Sequence, residues 1–198
     1  MTDQALIERF LSGDVGAFNT LVWRWEKPIY NFVYRYVGST EAAREVTQQT
    51  FVRAYTGLRR LKDTAKFATW LHQIAINLSR DELRKRRPFL SLEGMRMDQN
   101  EGEQVPAELW DNPQDRPDAC AHHSHLSQVL HRALLSLPEE QRVVIIMKQY
   151  QGLKFTEIAE ALAQPVNTVK SRLYHGLLTL RRLLEQWGYA EEVLGNDL

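Results

Sequence analysis

The chain has 198 residues, 43% of them apolar, which is ordinary for a protein that buries a core and allows one large domain or two small ones. Its 25 Lys and Arg balance 25 Asp and Glu, so no net charge draws the whole molecule to nucleic acid or to an anionic membrane. Apolar runs such as Val143 to Met147 fall far short of the roughly 20 residues that span a bilayer, and Met1-Thr2-Asp3-Gln4 lacks a signal peptide's basic start, which points to the cytoplasm.

From Val15 onward, Phe18, Leu21, Val22, Trp25, Ile29, Phe32, Val33 and Tyr36 recur at three- and four-residue steps, the mark of an amphipathic helix, with Pro28 a site for a kink. Gly38 suits a helix stop, and Ser39 or Thr40 can cap a second helix with Glu41 in its first turn. That helix runs to about Leu61, with Val46, Phe51, Ala54 and Leu58 facing inward. After the polar piece Lys62 to Lys66, helical spacing resumes through Phe67, Leu71, Ile74, Ala75 and Leu78 and ends in the basic run before Pro88.

Between Pro88 and about Ser124 the periodicity stops, and prolines at 88, 106, 113 and 117 stand among many acidic residues. This reads as a linker, 88–124, able to reach on the order of 120 Å when extended. It separates two basic blocks, Arg80 with Arg84 to Arg87 and Lys170, Arg172, Arg181 and Arg182, so the neutral total is a sum over segregated charge. A second lobe, 125–188, opens with Leu126, Val129, Leu130, Ala133, Leu134 and Leu137 on one helix face. Ser136 and Glu139 have capping-box spacing for a helix through Val143, Val144, Met147 and Tyr150 that stops at Gly152. Phe155 to Leu162, a turn at Ala163 to Val166, and a long helix from about Asn167 to Trp187 then have the proportions of a helix-turn-helix. No strand pattern appears, so the expected fold is all-α, with a tail at 189–198.

Three stretches resemble the sigma-70 family of bacterial RNA polymerase. EAAREVTQQTFVRAYTGL is similar to its polymerase-docking helix, FATWLHQIAINLSRDELRKRR to its promoter-melting helix, and LPEEQRVVIIMKQYQGLKFTEIAEALAQPVNTVKSRLYHGLLTLRRLL to its region four. The order, and the absence of a middle domain, match the extracytoplasmic-function group, which keeps regions two and four. The resemblance implies a specificity subunit whose partners are core RNA polymerase, promoter DNA and an anti-sigma factor. It implies no cofactor, no small-molecule substrate and no membrane insertion.

By that resemblance, Glu41, Glu45, Gln48, Gln49 and Arg53 form the polymerase-docking face. Glu45 stands where the family usually has aspartate and Gln49 where it usually has glutamate. Lys62, Asp63, Thr64, Ala65, Lys66 and Asn77 would capture unpaired bases of the minus-ten element, with Arg80, Arg84 and Lys85 on the backbone. An Asn amide offers both donor and acceptor to a base edge. Trp70 is placed with the minus-ten residues as a stacking surface, with core at helical spacing the competing reading, while Phe67 is left open between the two. Asn167, Thr168, Lys170, Ser171, Arg172 and His175 would read the minus-thirty-five element, over a buried stripe of Val169, Leu173, Leu177 and Leu180 that puts Lys170 and Arg172 on the opposite face. Ala163 and Asn167 stand where glycine is common, and the linker is either a solvated spacer or an acidic strap in the polymerase's channels.

The lone cysteine cannot form an internal disulfide, and the cluster Cys120-Ala121-His122-His123-Ser124-His125 has metal-binding side chains but no second ligand pair at finger-like spacing, so no metal site is assigned. No phosphate-binding glycine loop or nucleophile motif indicates an enzyme. A stand-alone helix-turn-helix regulator is the competing function, and a non-transcribing adaptor of sigma shape a third.

Overall fold

A computed structural model describes the backbone of residues 1–92 and 120–189, with side chains at 1–86 and 125–189; the element order is entirely helical across these residues. Eight α-helices follow in order: α1 (Asp3–Leu11), α2 (Val15–Val37), α3 (Thr40–Gly57), α4 (Phe67–Leu92), α5 (Cys120–Leu135), α6 (Glu139–Ile145), α7 (Phe155–Leu162) and α8 (Val166–Gln186). Short 3-10 turns cover Leu58–Arg60 and Thr64–Lys66, and α6 runs on into a π-helical turn, Ile146–Tyr150.

The first lobe packs α1 to α4 around Leu21, Ile29, Phe32, Tyr36, Val46, Leu58, Phe67 and Leu71, all but excluded from solvent. The inward faces read from spacing in α2 and α3 are the buried ones, with Val22 and Trp25 packed at the edge. Gly38 closes α2 at φ 79°, a left-handed backbone that glycine adopts without strain, and Ser39 Oγ accepts from Ala42 N at 3.4 Å to start α3. Helix α1 was not anticipated by the sequence reading. It is capped by Thr2, buries Leu6, Ile7 and Phe10, and is tied to α2 by Asp3, which pairs with Arg24 and accepts from Trp25 Nε1 at 3.1 Å.

Helix α4 does not end before Pro88 but continues to Leu92. Proline has no backbone N–H to donate, so the helix passes Pro88 with one intrahelical bond fewer. His72, buried on α4, stands edge-on to Trp25 and Phe32, donates from Nδ1 to Ala68 O at 2.8 Å, and faces the Gln151 amide at 3.4 Å. Burial disfavours its charged form and lowers its pKa below the ordinary 6.5. Above pH 6.5 the ring is neutral folded or unfolded and costs nothing. As pH falls below 6.5 the unfolded chain takes the proton first, so stability is lost with acidification. A His72→Phe variant is therefore expected to keep its melting temperature more nearly constant between pH 7 and 5 than the parent, read by thermal denaturation across that range.

In the second lobe, α6 packs across α8, and Val143, Val144, Ile146, Met147, Ile158 and Val169 fill the space between α6, α7 and α8. The expected capping box at Ser136 and Glu139 does not form. Pro138 is the N-cap, Glu139 is the first helical residue, and Ser136 Oγ instead donates to Arg132 O at 3.0 Å. With proline setting the entry backbone, Glu139 lies two positions too early to reach back, and its carboxylate is used elsewhere. The reciprocal contact occurs at α7, where Lys154 N donates to Glu157 Oε2 at 2.6 Å.

The turn between α7 and α8 places Ala163 at φ 51°, ψ 47°. A left-handed alanine costs roughly 1 kcal/mol against glycine, so Ala163→Gly is expected to raise stability by about that amount, measurable by urea denaturation. On α8, Leu177 is exposed, contrary to the expected stripe; Val169, Leu173, Gly176, Leu180 and Leu184 face inward instead. Gly176 takes the place assigned to its neighbour because α6 comes so close there that an added side chain would have to displace Ile145 and Gln141. A Cβ added at Gly176 would stand 2.9 Å from Ile145 Cδ1 and 3.1 Å from Gln141 Cβ.

Candidate polymerase and nucleic-acid interface

The core stripe of α3 turns Glu41, Glu45, Gln48 and Arg53 to solvent and leaves Gln49 half-buried. Gln49 Nε2 donates to Glu45 Oε1 at 2.9 Å, so the amide that replaces an expected carboxylate also offsets the repulsion between neighbouring acids. Beside this face lies a groove of about 830 Å³ between α2 and α3. Gln48 lines it, but its walls are largely aromatic and aliphatic: Trp23, Tyr30, Val52 and Tyr55, with Lys27 and Arg44 at the rim. Trp23 is 84% exposed and Val52 60%, although each sits on a helix with ample core to join. Sequence reasoning missed these residues. Their signal was an apolar side chain off the buried stripe, Trp23 between Leu21 and Trp25 and Val52 beside Phe51.

The loop expected to meet the minus-ten element is a 3-10 turn in which Asp63 Oδ1 accepts from Ala65 N at 3.0 Å. Lys62, Asp63, Ala65 and Lys66 are exposed and Thr64 half-buried. Along α4 the positions Trp70, Gln73, Asn77, Arg80 and Arg84 recur at helical steps on one face, with Asn77 and Arg84 exposed. Phe67 is core, edge-on to Trp25 at 6.1 Å. Trp70 is half-buried, with its ring 3.1 Å from where a Cβ on Gly57 would stand. Two cations of this surface are occupied. Arg80 Nε reaches Glu139 at 3.2 Å and Lys66 Nζ reaches Glu160 at 2.7 Å, and the bond to Glu160 raises the lysine's pKa. Arg84 and Lys85 lie within 3.6 and 3.7 Å of Asp81 and Glu82 on their own helix.

On α8, Asn167, Lys170, Ser171 and His175 are exposed and Thr168 is half-buried. Arg172 does not stand opposite the buried stripe. It flanks it, because Gly176 rather than Leu177 faces α6, and its guanidinium donates to Glu140 at 2.6 Å. Lys170 lies 5.7 Å from the Phe155 ring centroid. The face farthest from the core carries Asn167, Ser171, Tyr174, Leu178 and Arg182, and Tyr174 is 63% exposed with its ring edge-on to His175. Tyr174 was legible as the residue three after Ser171 and seven after Asn167.

His125 Nε2 lies 2.8 Å from Tyr189 Oη, while the side chains of Cys120, His122 and His123 lie outside the described residues. Of the expected linker, 88–124, the two ends at 88–92 and 120–124 are helical backbone, and 93–119 lie outside the described residues, as does the tail from 190.

Both lobes match known families: residues 21–89 match Sigma-70 region 2 and residues 127–180 match Sigma-70, region 4. The chain is 32% identical to the ECF RNA polymerase sigma-E factor of Escherichia coli (strain K12) over 179 residues, covering 88% of this chain and 90% of that one. It is 33% identical over 178 residues to the ECF RNA polymerase sigma factor SigW of Bacillus subtilis (strain 168), covering 90% and 94%. In fold it is similar to CnrH in its complex with the cytosolic domain of CnrY, with TM-score 0.67 and 24% identity over 93% of this chain and 97% of that one. It is also similar to the sigma factor RpoE of Bartonella quintana, with TM-score 0.66 and 20% identity over 86% and 98%. The chain belongs to the sigma-70 family, in its extracytoplasmic-function group. It is a transcription initiation factor that works with RNA polymerase at promoters. No helix among the described residues is long and apolar enough to cross a membrane.

Proposed function

We propose that the chain divides its work at residues 1–87, 88–124 and 125–188: the first lobe docks on core polymerase and opens the minus-ten element, the second reads the minus-thirty-five element, and the acidic segment links them. The observation that carries this is the pairing of two differently built surfaces. An apolar groove that Gln48 helps to line, on the same helix as Glu41, Glu45, Gln49 and Arg53, suits a protein helix. The cationic and amide-bearing face of α4 and the first turns of α8 suit nucleic acid.

In this reading Asn77 and the 62–66 loop hold unstacked bases, Trp70 offers a stacking edge, and Arg80, Arg84 and Lys85 neutralise phosphates. Asn167, Thr168, Lys170, Ser171 and His175 enter the major groove, with Arg172 placed by Glu140. No step is catalysed by the chain itself, and it acts in the cytoplasm. Bartonella quintana RpoE forms a complex with the anti-sigma factor NepR, and a partner of that kind is proposed to hold this chain until a stress signal. Run-off transcription with purified core enzyme tests the reading. Promoter-dependent product that falls on Asn77→Ala and on Ser171→Ala, each at a different promoter element, is expected; a product that needs no chain, or tight symmetric operator binding by the chain alone, contradicts it.

A further inference from the structure

A third basic cluster, besides those of α4 and α8, sits on the turn that follows α3. Arg59, Arg60 and Lys62 put three cations into four positions, and all three are exposed. The turn is held from below: Leu58 is fully buried, Leu61 packs against the same core, and Leu61 N donates to Leu58 O at 3.1 Å. Arg59 and Arg60 stand between these two anchors and make no hydrogen bond or ion pair among the described residues. By contrast, Arg9, Arg24, Arg80, Arg84, Lys85 and Arg86 of the same lobe each pair with a carboxylate. The one carboxylate between 58 and 66, Asp63, is taken by the loop's own backbone, accepting from Ala65 N at 3.0 Å. Cations past a helix C-terminus complement its dipole, but that effect fades within a turn and is screened by salt, which gives weak reason for three unpaired charges beside a loop.

Helices α3 and α4 run antiparallel. Trp70 at the start of α4 lies against Gly57 at the end of α3, and at the far end Arg86 Nη2 donates to Ser39 Oγ at 3.2 Å. Arg59 and Arg60 are therefore beside the 62–66 loop and Trp70, at the end opposite Arg84 and Lys85. At 1.5 Å per residue, α4 covers about 25 Å from Phe67 to Arg84. A DNA strand carries a phosphate every ~3.4 Å in B-form, so the two groups of cations stand roughly seven nucleotides apart. Helix α4 leads from its C-terminal end to the lobe that reads the upstream element in the proposed function, so the α3 end faces downstream. We propose that Arg59 and Arg60, continuing from Lys62, form a phosphate track for the unpaired strand just downstream of the minus-ten element. The track rests on the minus-ten reading above and deepens it: a strand whose bases are held at the 62–66 loop brings its next phosphates to the end of α3, where uncompensated charge is already in place. Phosphate contacts carry no base preference, so the track lengthens the contact without adding sequence to it. Because Leu58 and Leu61 anchor the turn, its backbone needs no ordering when a strand binds.

The test uses holoenzyme reconstituted from the full chain and core polymerase, with two fluorescent forks built on a promoter that the parent transcribes. In the short fork the unpaired strand ends with the minus-ten element; in the long fork it continues for several unpaired nucleotides downstream. Replacing Arg59→Gln and Arg60→Gln together should weaken binding to the long fork about tenfold and make its log Kd against log salt slope shallower by about 1.4, the contribution of two single-strand phosphates at ~0.7 each. Binding to the short fork should stay within about twofold of the parent. Arg59→Lys with Arg60→Lys should restore both values, because a phosphate track needs the charge and not the planar guanidinium fork. Changing the bases of the extension should alter neither. Equal weakening on both forks, an unchanged salt slope, or Lys variants that behave like the Gln variants would each overturn the track. Failure of the minus-ten reading shows separately, as parent holoenzyme that binds a fork with a scrambled minus-ten element as tightly as the intact one, and the track falls with it.

Discussion

Trp23→Ala is expected to weaken binding to core RNA polymerase by about 2 kcal/mol, or ~30-fold, while leaving the melting temperature within a degree or two of the parent. An exposed tryptophan on a well-packed helix contributes little to folding, because it makes few contacts with the core. It contributes much to association when a partner can bury it, and α2 and α3 hold it in a preformed groove beside Val52 and Tyr55, so little ordering cost is added on binding. Tyr55 packs on Phe10 and Phe18 at 5.2 and 5.1 Å, so its ring is positioned before any partner arrives. Pairing Trp23→Ala with Tyr55→Ala should cost at least a hundredfold, less than the product of the single effects if both enclose the same partner side chain. Titration of labelled core enzyme against each variant measures this. Affinity unchanged in the double variant would move the docking surface off this groove.

The second large effect is expected at Gly176. Replacement by valine should destabilise the second lobe by about 2–3 kcal/mol, because the added side chain meets Ile145 and Gln141 on a helix whose approach is fixed by the core around Val143 and Val169. Helix α8 carries the residues proposed to read the minus-thirty-five element, on the far side of the same contact. Displacing it should therefore reduce transcription from promoters that depend on a minus-thirty-five element more than from those that do not. Gly176→Ala is the milder comparison, since better helix propensity partly offsets a smaller clash. Denaturation of both variants, with transcription from the two promoter types, separates loss of folding from loss of presentation.

Much of this architecture could be read from residue spacing. The stripes of α2 and α3, the stop at Gly38 and the helix-turn-helix proportions follow from local rules that act within a few turns of helix, and they recur where those rules place them. Helix α1 follows the same rules, with Thr2 as cap and Leu6, Ile7 and Phe10 on one face, but its nine residues hold too few repeats for a periodic pattern to stand out. The errors in the second lobe have two separate causes. Ser136 and Glu139 have capping-box spacing, but Pro138 shifts the helix start, and Leu177 looked internal by spacing until the close approach of α6 selected Gly176.

What spacing does not carry is contact between distant segments. Tyr36 and Glu139 are 103 positions apart, and Lys66 and Glu160 are 94 apart, so no periodic pattern marks either pair. The candidate site divides in the same way. The polar faces of α3, α4 and α8 were legible as what remained after the core was assigned, but the groove needs two helices at once, and Arg172 changed role once the true inward face of α8 was fixed.

Two separate lobes are proposed to read two separate promoter elements on behalf of RNA polymerase. Selection of bound DNA from a random library, using holoenzyme reconstituted from this full chain and core enzyme, tests it most directly. The expected result is two enriched blocks at a fixed spacing of about two and a half helical turns, with the upstream block relaxed by Ser171→Ala and the downstream block by Asn77→Ala. Enrichment of a single palindrome, or the same enrichment without core enzyme, would contradict it.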